Sequence, residues 1–490
     1  VRDASGYPDG WTVAVAYPQT EEDVAAIVQQ RHAILPVGAQ SSVTGGATPF
    51  GEVVLSTANL TGIRQIDSEH VRVQAGVSLE TLQDVLRDAG RYYPPVPSYT
   101  GPSVGGVLAT NAAGPATFKY GSTRDWVDAL TVVLATGEVL DIERGQCIAH
   151  PDGYVEIESP TGIRRVPIPT YRMPNVPKRS AGYYAAPHMD LLDLFVGAEG
   201  TLGIITEATL RVVAPAPRVC VLSIACHSDA QALLLTAQLR DISTETRRTH
   251  NAYGIDVSAI EYLDRRSLHL LRPFNTAHNG STMPHANALL LVQVELPPHA
   301  AHVPLAQLQH LLAQAGVLDR TEIVLPDNHQ RANEVLAVRA AVPQTVNAHI
   351  VRAQRTLSLE ITKVGADMIV PFVHTGTMIE LFRDRFERLK MDYAIWGHVS
   401  DGNLHPNALP RSAAEAKAAQ AVVLEIGNIV STKLGGCSLA EHGVGRNPIK
   451  QALLRQLYGD AGIAQMQAVK RVLDPQWKLA PGNLFPAPSA

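Results

Sequence analysis

Ile34-Leu35-Pro36-Val37-Gly38-Ala39-Gln40-Ser41-Ser42-Val43-Thr44-Gly45-Gly46 begins as a short apolar strand and empties into a loop of small, hydroxyl and glycine residues. Such a loop lets backbone N–H groups converge on a phosphate oxygen, because glycine has no Cβ to keep a ligand away. A polar turn has the same composition. Two later stretches repeat the theme, Pro102-Ser103-Val104-Gly105-Gly106-Val107-Leu108-Ala109-Thr110-Asn111-Ala112-Ala113-Gly114 and Gly197-Ala198-Glu199-Gly200-Thr201-Leu202-Gly203-Ile204-Ile205. Runs of small residues cannot build a core of large side chains. They suit a backbone pressed against a flat ligand, or a tight turn between helices. None of the three has GxGxxG opening a helix after a strand, which disfavours the dinucleotide fold of nicotinamide enzymes.

Around these loops the pattern alternates. Thr20 followed by Asp23 predicts a capped helix with Val24, Ile27 and Val28 on one face. Val53 to Leu55 and Val71 to Ala75 read as strands, and Ser78 caps a helix carrying Leu79, Leu82, Val85 and Leu86. Leu130 to Leu140 reads as strand, turn and strand, and Ile204 to Val213 as a further strand. Ala214-Pro215-Ala216-Pro217 breaks the pattern. Beyond it, strands over Val219 to Cys226, Leu289 to Glu295 and Thr321 to Leu325 alternate with helices, predicting an antiparallel α+β platform. Glu334 to Val342, Met378 to Leu389, Ala413 to Leu434 and Ile463 to Leu473 read as helices.

The 490 residues suffice for two or three cores. With 5% aromatic and 18% charged residues, those cores are aliphatic and long disordered spans are not expected. A net charge of −5 without a basic block argues against nucleic acid or anionic membrane as the main partner. Cys147, Cys220, Cys226 and Cys437 have no CxxC spacing and read as reduced, which favours the cytoplasm. No apolar run reaches the ~18 residues of a membrane helix, and no signal peptide is expected.

The second informative stretch is Trp396-Gly397-His398-Val399-Ser400-Asp401-Gly402-Asn403-Leu404-His405-Pro406-Asn407. Asp-Gly between strand-like flanks predicts a two-residue hairpin turn. If Asp401-Gly402 is that turn, His398 faces His405, with Cβ atoms about 5 Å apart. Two such imidazoles could share a divalent ion, or could be unrelated surface histidines. Glu441-His442, between Gly435-Gly436 and Gly443-Val444-Gly445, adds a carboxylate and a further imidazole. Two histidines and one carboxylate suit a first-row divalent ion, with His442 left for proton transfer; a structural turn is the alternative.

Taken in order, the three small-residue loops, Lys119-Tyr120-Gly121 and the histidine hairpin resemble the vanillyl-alcohol oxidase superfamily with its PCMH-type FAD-binding domain. Within it, the chain is similar to the FAD-linked D-2-hydroxy acid dehydrogenases, which include D-lactate dehydrogenase, the FAD subunit of glycolate oxidase and D-2-hydroxyglutarate dehydrogenase. The resemblance implies an α+β fold: a two-subdomain FAD-binding domain over residues 1–215, an antiparallel-sheet α+β cap over 216–435, and a C-terminal helical segment over 436–490 that returns to the FAD domain. It implies FAD held by Val37, Gly38, Ala39, Gln40, Ser41, Ser42 and Thr44 at the pyrophosphate. Pro102, Ser103, Gly106, Ala109, Thr110, Asn111, Gly114, Glu199, Gly200, Gly203, Ile204, Ile205 and Asn407 would lie along the rest of the cofactor.

The resemblance further implies a divalent metal on His398, His405 and Glu441, zinc first, with manganese or iron(II) as alternatives. Arg339, Lys363, Asn407 and His442 would meet the substrate, with His442 as catalytic base. The implied reaction is oxidation of a D-lactate-like or glycolate-like 2-hydroxy acid to the 2-oxo acid. A sugar-type or aromatic alcohol substrate, or a place as the FAD subunit of a glycolate oxidase complex, stands as the alternative. The acceptor is a quinone, flavoprotein or cytochrome. A homodimer and peripheral association with the inner membrane are compatible with the family.

Overall fold

The computed structural model describes residues 2–30, 32–159, 162–213, 217–271 and 286–486. The proline break expected at 214–217 falls largely on residues 214–216, which lie outside the described residues. The chain divides into two compact units, one made of Val1–Gly114, Gly121–Ala216 and Leu439–Ala490, the other of Pro115–Tyr120 and Pro217–Ser438.

Among the described residues the first unit has two larger sheets and a two-stranded ribbon, Tyr154–Ser159 with Gly162–Pro167. Strands Val15–Ala16, Val53–Ser56 and Ile34–Val37 form a parallel three-stranded sheet in that spatial order. Ile63–Ile66, His70–Gln74, Ile204–Arg211, Val127–Val133 and Val139–Glu143 form an antiparallel five-stranded one, with Ile204–Arg211 at its centre. The helix Glu21–Gln29 starts where the sequence predicts. Thr20 accepts from the Asp23 N–H at 3.2 Å, and Asp23 accepts from the Thr20 N–H at 3.1 Å. Its Val24 and Val28 are fully buried against Ile34, Leu55, Leu60, Val133 and Ile204, so one helix face seals residues of both sheets. Each valine contributes about 1.5–3 kcal/mol. Pro448–Leu473 is two helices meeting at a kink at Gly459, and the second is anchored through buried Lys470, whose ammonium donates to the carbonyls of Thr201 at 2.8 Å and Leu479 at 2.9 Å.

The second unit is an antiparallel eight-stranded sheet. Its order is Thr321–Val324, Arg218–Cys226, Ala288–Leu296, Asp256–Asp264, Asp392–His398, Asn403–Leu409 and Val364–Gly365, with Met368–Ile369 also paired to Asn403–Leu409. The antiparallel α+β platform expected from the strand and helix alternation is therefore present. The helix His329–Thr356 packs on this sheet through Val335, Val342, Val346 and Ile350, against Val221, Leu263, Leu291 and Trp396. It continues through Pro343, beyond the Glu334 to Val342 span read from the sequence. Interior proline costs about 3 kcal/mol, because it removes one N–H bond to the carbonyl four residues back. Burial of Val346 and Ile350 beyond the break outweighs that. The carbonyl deprived of its usual donor belongs to Arg339. No helix among the described residues is long and apolar enough to cross a membrane.

Candidate active site

In the first unit the three small-residue loops converge. The loop after Val37 passes so close to the start of the helix Val104–Ala109 that a Cβ on Gly38 would lie 2.0 Å from Ser103 Oγ. That hydroxyl is already used: it accepts from the Gly106 N–H at 3.2 Å and caps the helix. The third loop is joined to the helix end by two backbone bonds, Gly197 N–H to the Leu108 carbonyl at 2.9 Å and Glu199 N–H to the Ala109 carbonyl at 2.7 Å. Each loop also carries one non-glycine residue in the left-handed region: Gln40 at φ 52°, Asn111 at φ 45° and Glu199 at φ 52°. Such backbone is costly and concentrates where a ligand is gripped. A Cβ on Gly114 would stand 2.1 Å from the Val96 carbonyl oxygen, so the chain there has no room for a side chain. These narrow passages fit a flat cofactor lying along backbone.

The Glu441-His442 loop is clamped from both ends. Lys178, whose side chain is fully buried, places its ammonium 2.8 Å from Glu441 Oε2. Ser180 N–H donates to the Ala440 carbonyl at 3.0 Å, and Ser180 Oγ accepts from the Gly443 N–H at 3.2 Å. On the far side, both Glu199 oxygens accept backbone N–H groups, from Val444 and Gly445, each at 2.7 Å. His442 Nε2 lies 3.7 Å from Glu441 Oε1, and its side chain is 34% exposed, within reach of a small molecule. Replacing Lys178 with methionine would strand a buried carboxylate; breaking a pair of this kind costs about 3–5 kcal/mol.

Burial drives the Glu199 carboxyl up from 4.5 to about 7, with the Val444 and Gly445 amides restraining the rise. Its folded pKa is above the unfolded value, so the native chain binds this proton more tightly. The resulting stabilisation is complete below pH ~4.5 and is lost as pH climbs through ~7, by up to ~3 kcal/mol. Thermal midpoints of wild type and Glu199→Gln from pH 4.5 to 8 check this: the wild-type advantage shrinks across that window, and a pH-independent difference would contradict it.

The hairpin in the second unit differs from the sequence expectation in register. Its loop is four residues, 399–402, and His398 pairs with Asn403 while His405 pairs with Trp396. The cause is a neighbour. Ser400 leaves the hairpin ladder to bond the adjacent strand, with its N–H donating to the Ile260 carbonyl and its Oγ accepting from the Ile260 N–H, both at 3.2 Å. The Asp401 and Gly402 N–H groups close the turn onto the carbonyls of His398 and Val399. Because the register moves by an even step, His398 and His405 stay on one face, as a diagonal pair. Their ring centroids are 5.3 Å apart with planes at 89°.

Two acidic partners emerge that the sequence analysis did not assign. Glu261, directly opposite His398 on the neighbouring strand, accepts from His398 Nδ1 and from Arg339 Nε, the latter at 3.1 Å. Asp367 Oδ1 lies 3.5 Å from His405 Nδ1 and accepts from Asn403 Nδ2 at 3.1 Å. Burial pushes the Glu261 carboxyl up, but the interactions with its two partners, His398 and Arg339, outweigh it and hold its pKa down at about 2. A glutamate inside the apolar run Ala259-Ile260-Glu261-Tyr262-Leu263 is the signal that could have marked it, since a buried carboxylate must have a partner. Asn407 is 4% exposed, and its Oδ1 has no hydrogen-bond partner among the described residues, as suits a group that waits for a ligand. Arg339 is drawn to His398, with Nη2 3.4 Å from Nε2. Lys363 is exposed and donates to Asn347 Oδ1 at 2.8 Å.

Comparison with known proteins decides the family. An FAD-binding domain model matches residues 12–143, and the C-terminal domain of FAD linked oxidases matches residues 227–484. The chain belongs to the FAD-linked oxidases. The D-2-hydroxyglutarate dehydrogenase of Xanthomonas citri pv. viticola is 28% identical to this FAD-linked oxidase, covering 97% of the chain and 90% of the relative. The D-lactate dehydrogenase of Anaerostipes hadrus is 26% identical, covering 94% and 87%, and the glycolate oxidase subunit GlcD of Bacillus subtilis 28%, covering 96% and 88%. Among solved structures, an alkyldihydroxyacetonephosphate synthase superposes with a TM-score of 0.60 at 16% identity, over 95% of this chain and 75% of that one, which shows a shared fold. The resemblance read from the loops and the hairpin is thereby confirmed at the level of family and fold. This FAD-linked oxidase is an oxidoreductase.

Proposed function

We propose that this FAD-linked oxidase converts a D-2-hydroxy acid of the lactate or glycolate type to the 2-oxo acid. The observation that carries the reading is the pair His398 and His405 on one sheet face, beside an arginine, in a chain whose full-length relatives are named dehydrogenases of D-lactate and D-2-hydroxyglutarate. FAD, when bound, supplies the acceptor for the hydride leaving the hydroxyl-bearing carbon. The residues assigned to it are Val37 to Ser42, Thr44, the 102–114 set, the 199–205 set and Asn407. A divalent ion, zinc being favoured, would supply Lewis acidity toward the hydroxyl and carboxylate oxygens. Its proposed ligands are His398, His405 and Glu441, a donor set that suits zinc, manganese or iron(II).

The chain's own groups carry the remaining work. Arg339, fixed by Glu261 and only 14% exposed, offers its guanidinium to the substrate carboxylate; Lys363 is the second cation assigned to it. Asn407 holds the substrate against the cofactor through its unsatisfied Oδ1 or its amide. His442 accepts the hydroxyl proton at its imidazole nitrogen. An acceptor of the quinone, flavoprotein or cytochrome class completes the cycle.

Anaerobic mixing with D-lactate, glycolate, D-2-hydroxyglutarate, sugar acids and aryl alcohols tests the reading through loss of the flavin's visible absorbance. Bleaching by at least one 2-hydroxy acid, with the D enantiomer preferred where one exists, is the expected result. Bleaching by the alcohols alone would refute it.

A further inference from the structure

Between the strands Asp256–Asp264 and Asp392–His398, one carboxylate serves two cations. Glu261 is 2% exposed and sits opposite His398 in the sheet register. One of its oxygens accepts from His398 Nδ1 and the other from Arg339 Nε at 3.1 Å. The same Arg339 brings Nη2 to 3.4 Å from His398 Nε2. A guanidinium only donates, so that contact requires Nε2 to carry a lone pair, which puts the imidazole proton on Nδ1, where a carboxylate receives it. With Nδ1 held by Glu261, Nε2 is the ring nitrogen left to a metal; a metal taking that lone pair would displace Arg339 Nη2 and leave the guanidinium, still held at Nε by Glu261, to the substrate.

We infer that Glu261 is a positioning residue which fixes His398 in the tautomer whose Nε2 can ligate a metal and at the same time aims Arg339 at the substrate carboxylate. This rests on the assignment of His398 as metal ligand and Arg339 as carboxylate binder made above. Outer carboxylates that hold a ligating histidine set its orientation and basicity, and losing one typically weakens metal binding about 10–100-fold. Here the same loss also frees the arginine, so metal affinity and substrate affinity are coupled through one side chain. Glutamine in its place presents one acceptor and one NH2 group, so one of the two donors meets another donor. Either His398 changes tautomer or Arg339 swings away.

The test is zinc titration calorimetry on FAD-loaded, metal-stripped enzyme for wild type, Glu261→Gln, Glu261→Asp and His405→Ala, followed by steady-state kinetics at saturating zinc. For Glu261→Gln we expect zinc affinity about 10–100-fold weaker. The KM for D-lactate should also rise at saturating zinc. Glu261→Asp, which keeps the charge, should recover part of both. If Glu261→Gln binds zinc within about threefold of wild type while His405→Ala has lost it, the inference is wrong and the metal assignment stands. If His405→Ala binds zinc like wild type, the metal assignment itself falls. Should the glutamine variant fail to retain FAD, nitrogen-15 histidine spectra of metal-stripped wild type decide, with His398→Asn used to assign the resonance. A proton on Nδ1 supports the inference, and a proton on Nε2 overturns it.

Discussion

His442→Ala should abolish substrate-driven flavin reduction while leaving FAD bound, with a rate loss on the order of 10²–10⁴. The reasoning begins with where the loop is held. Lys178, Ser180 and Glu199 fix residues 440–445 through a buried ion pair and four backbone hydrogen bonds, so the substitution removes an imidazole from a loop that stays in place. His442 is not among the residues assigned to FAD, so the visible spectrum should be unchanged. Anaerobic stopped-flow reduction by the best 2-hydroxy acid reads the effect. Partial rescue by added imidazole would show that a proton acceptor, and not loop shape, is what the variant lacks. Bleaching at the wild-type rate would remove His442 from the proton transfer.

Stripping divalent metal from the enzyme should stop turnover, with activity restored by zinc or manganese. Lewis-acid stabilisation of a developing alkoxide is worth several kcal/mol, and each 1.36 kcal/mol is a factor of ten, so a loss of about 10²–10³ is expected. The first-unit carboxylate assigned as ligand, Glu441, is held in place by the Lys178 ammonium 2.8 Å away. Removing the ion and substituting Glu441→Gln should therefore give the same phenotype, and combining them should cost no more than either alone. Chelated enzyme that turns over normally would leave the cations of Arg339 and Lys363 as the whole of the substrate-binding charge.

Much of this was legible in the sequence wherever the signal was local. The Thr20 and Asp23 cap and the Ser78 cap are short-range features, and the structure places them as expected, whereas the second small-residue stretch, read as a loop or tight turn, holds the helix Val104–Ala109. What failed was long-range. The hairpin register depends on Ser400 bonding Ile260, 140 residues away, and no turn rule contains that partner. The two histidines still share a face because the error was an even number of residues; an odd slip would have separated them. Glu261 and His398 lie 137 residues apart, so their pairing could be anticipated only as a buried charge in need of company. The helix read over Glu334 to Val342 continues past Pro343, because the packing of Val346 and Ile350 overrides the local preference against an interior proline. Lys178 sits after an irregular proline-rich stretch with no periodicity to draw attention to it.

The most direct measurement is the content of FAD and of divalent metal per chain in purified wild type and in His405→Ala. The account predicts about one FAD and one metal ion in wild type, and in the variant one FAD with the metal lost. Wild-type protein that is yellow but metal-free, or a His405→Ala variant that keeps its metal, would contradict it.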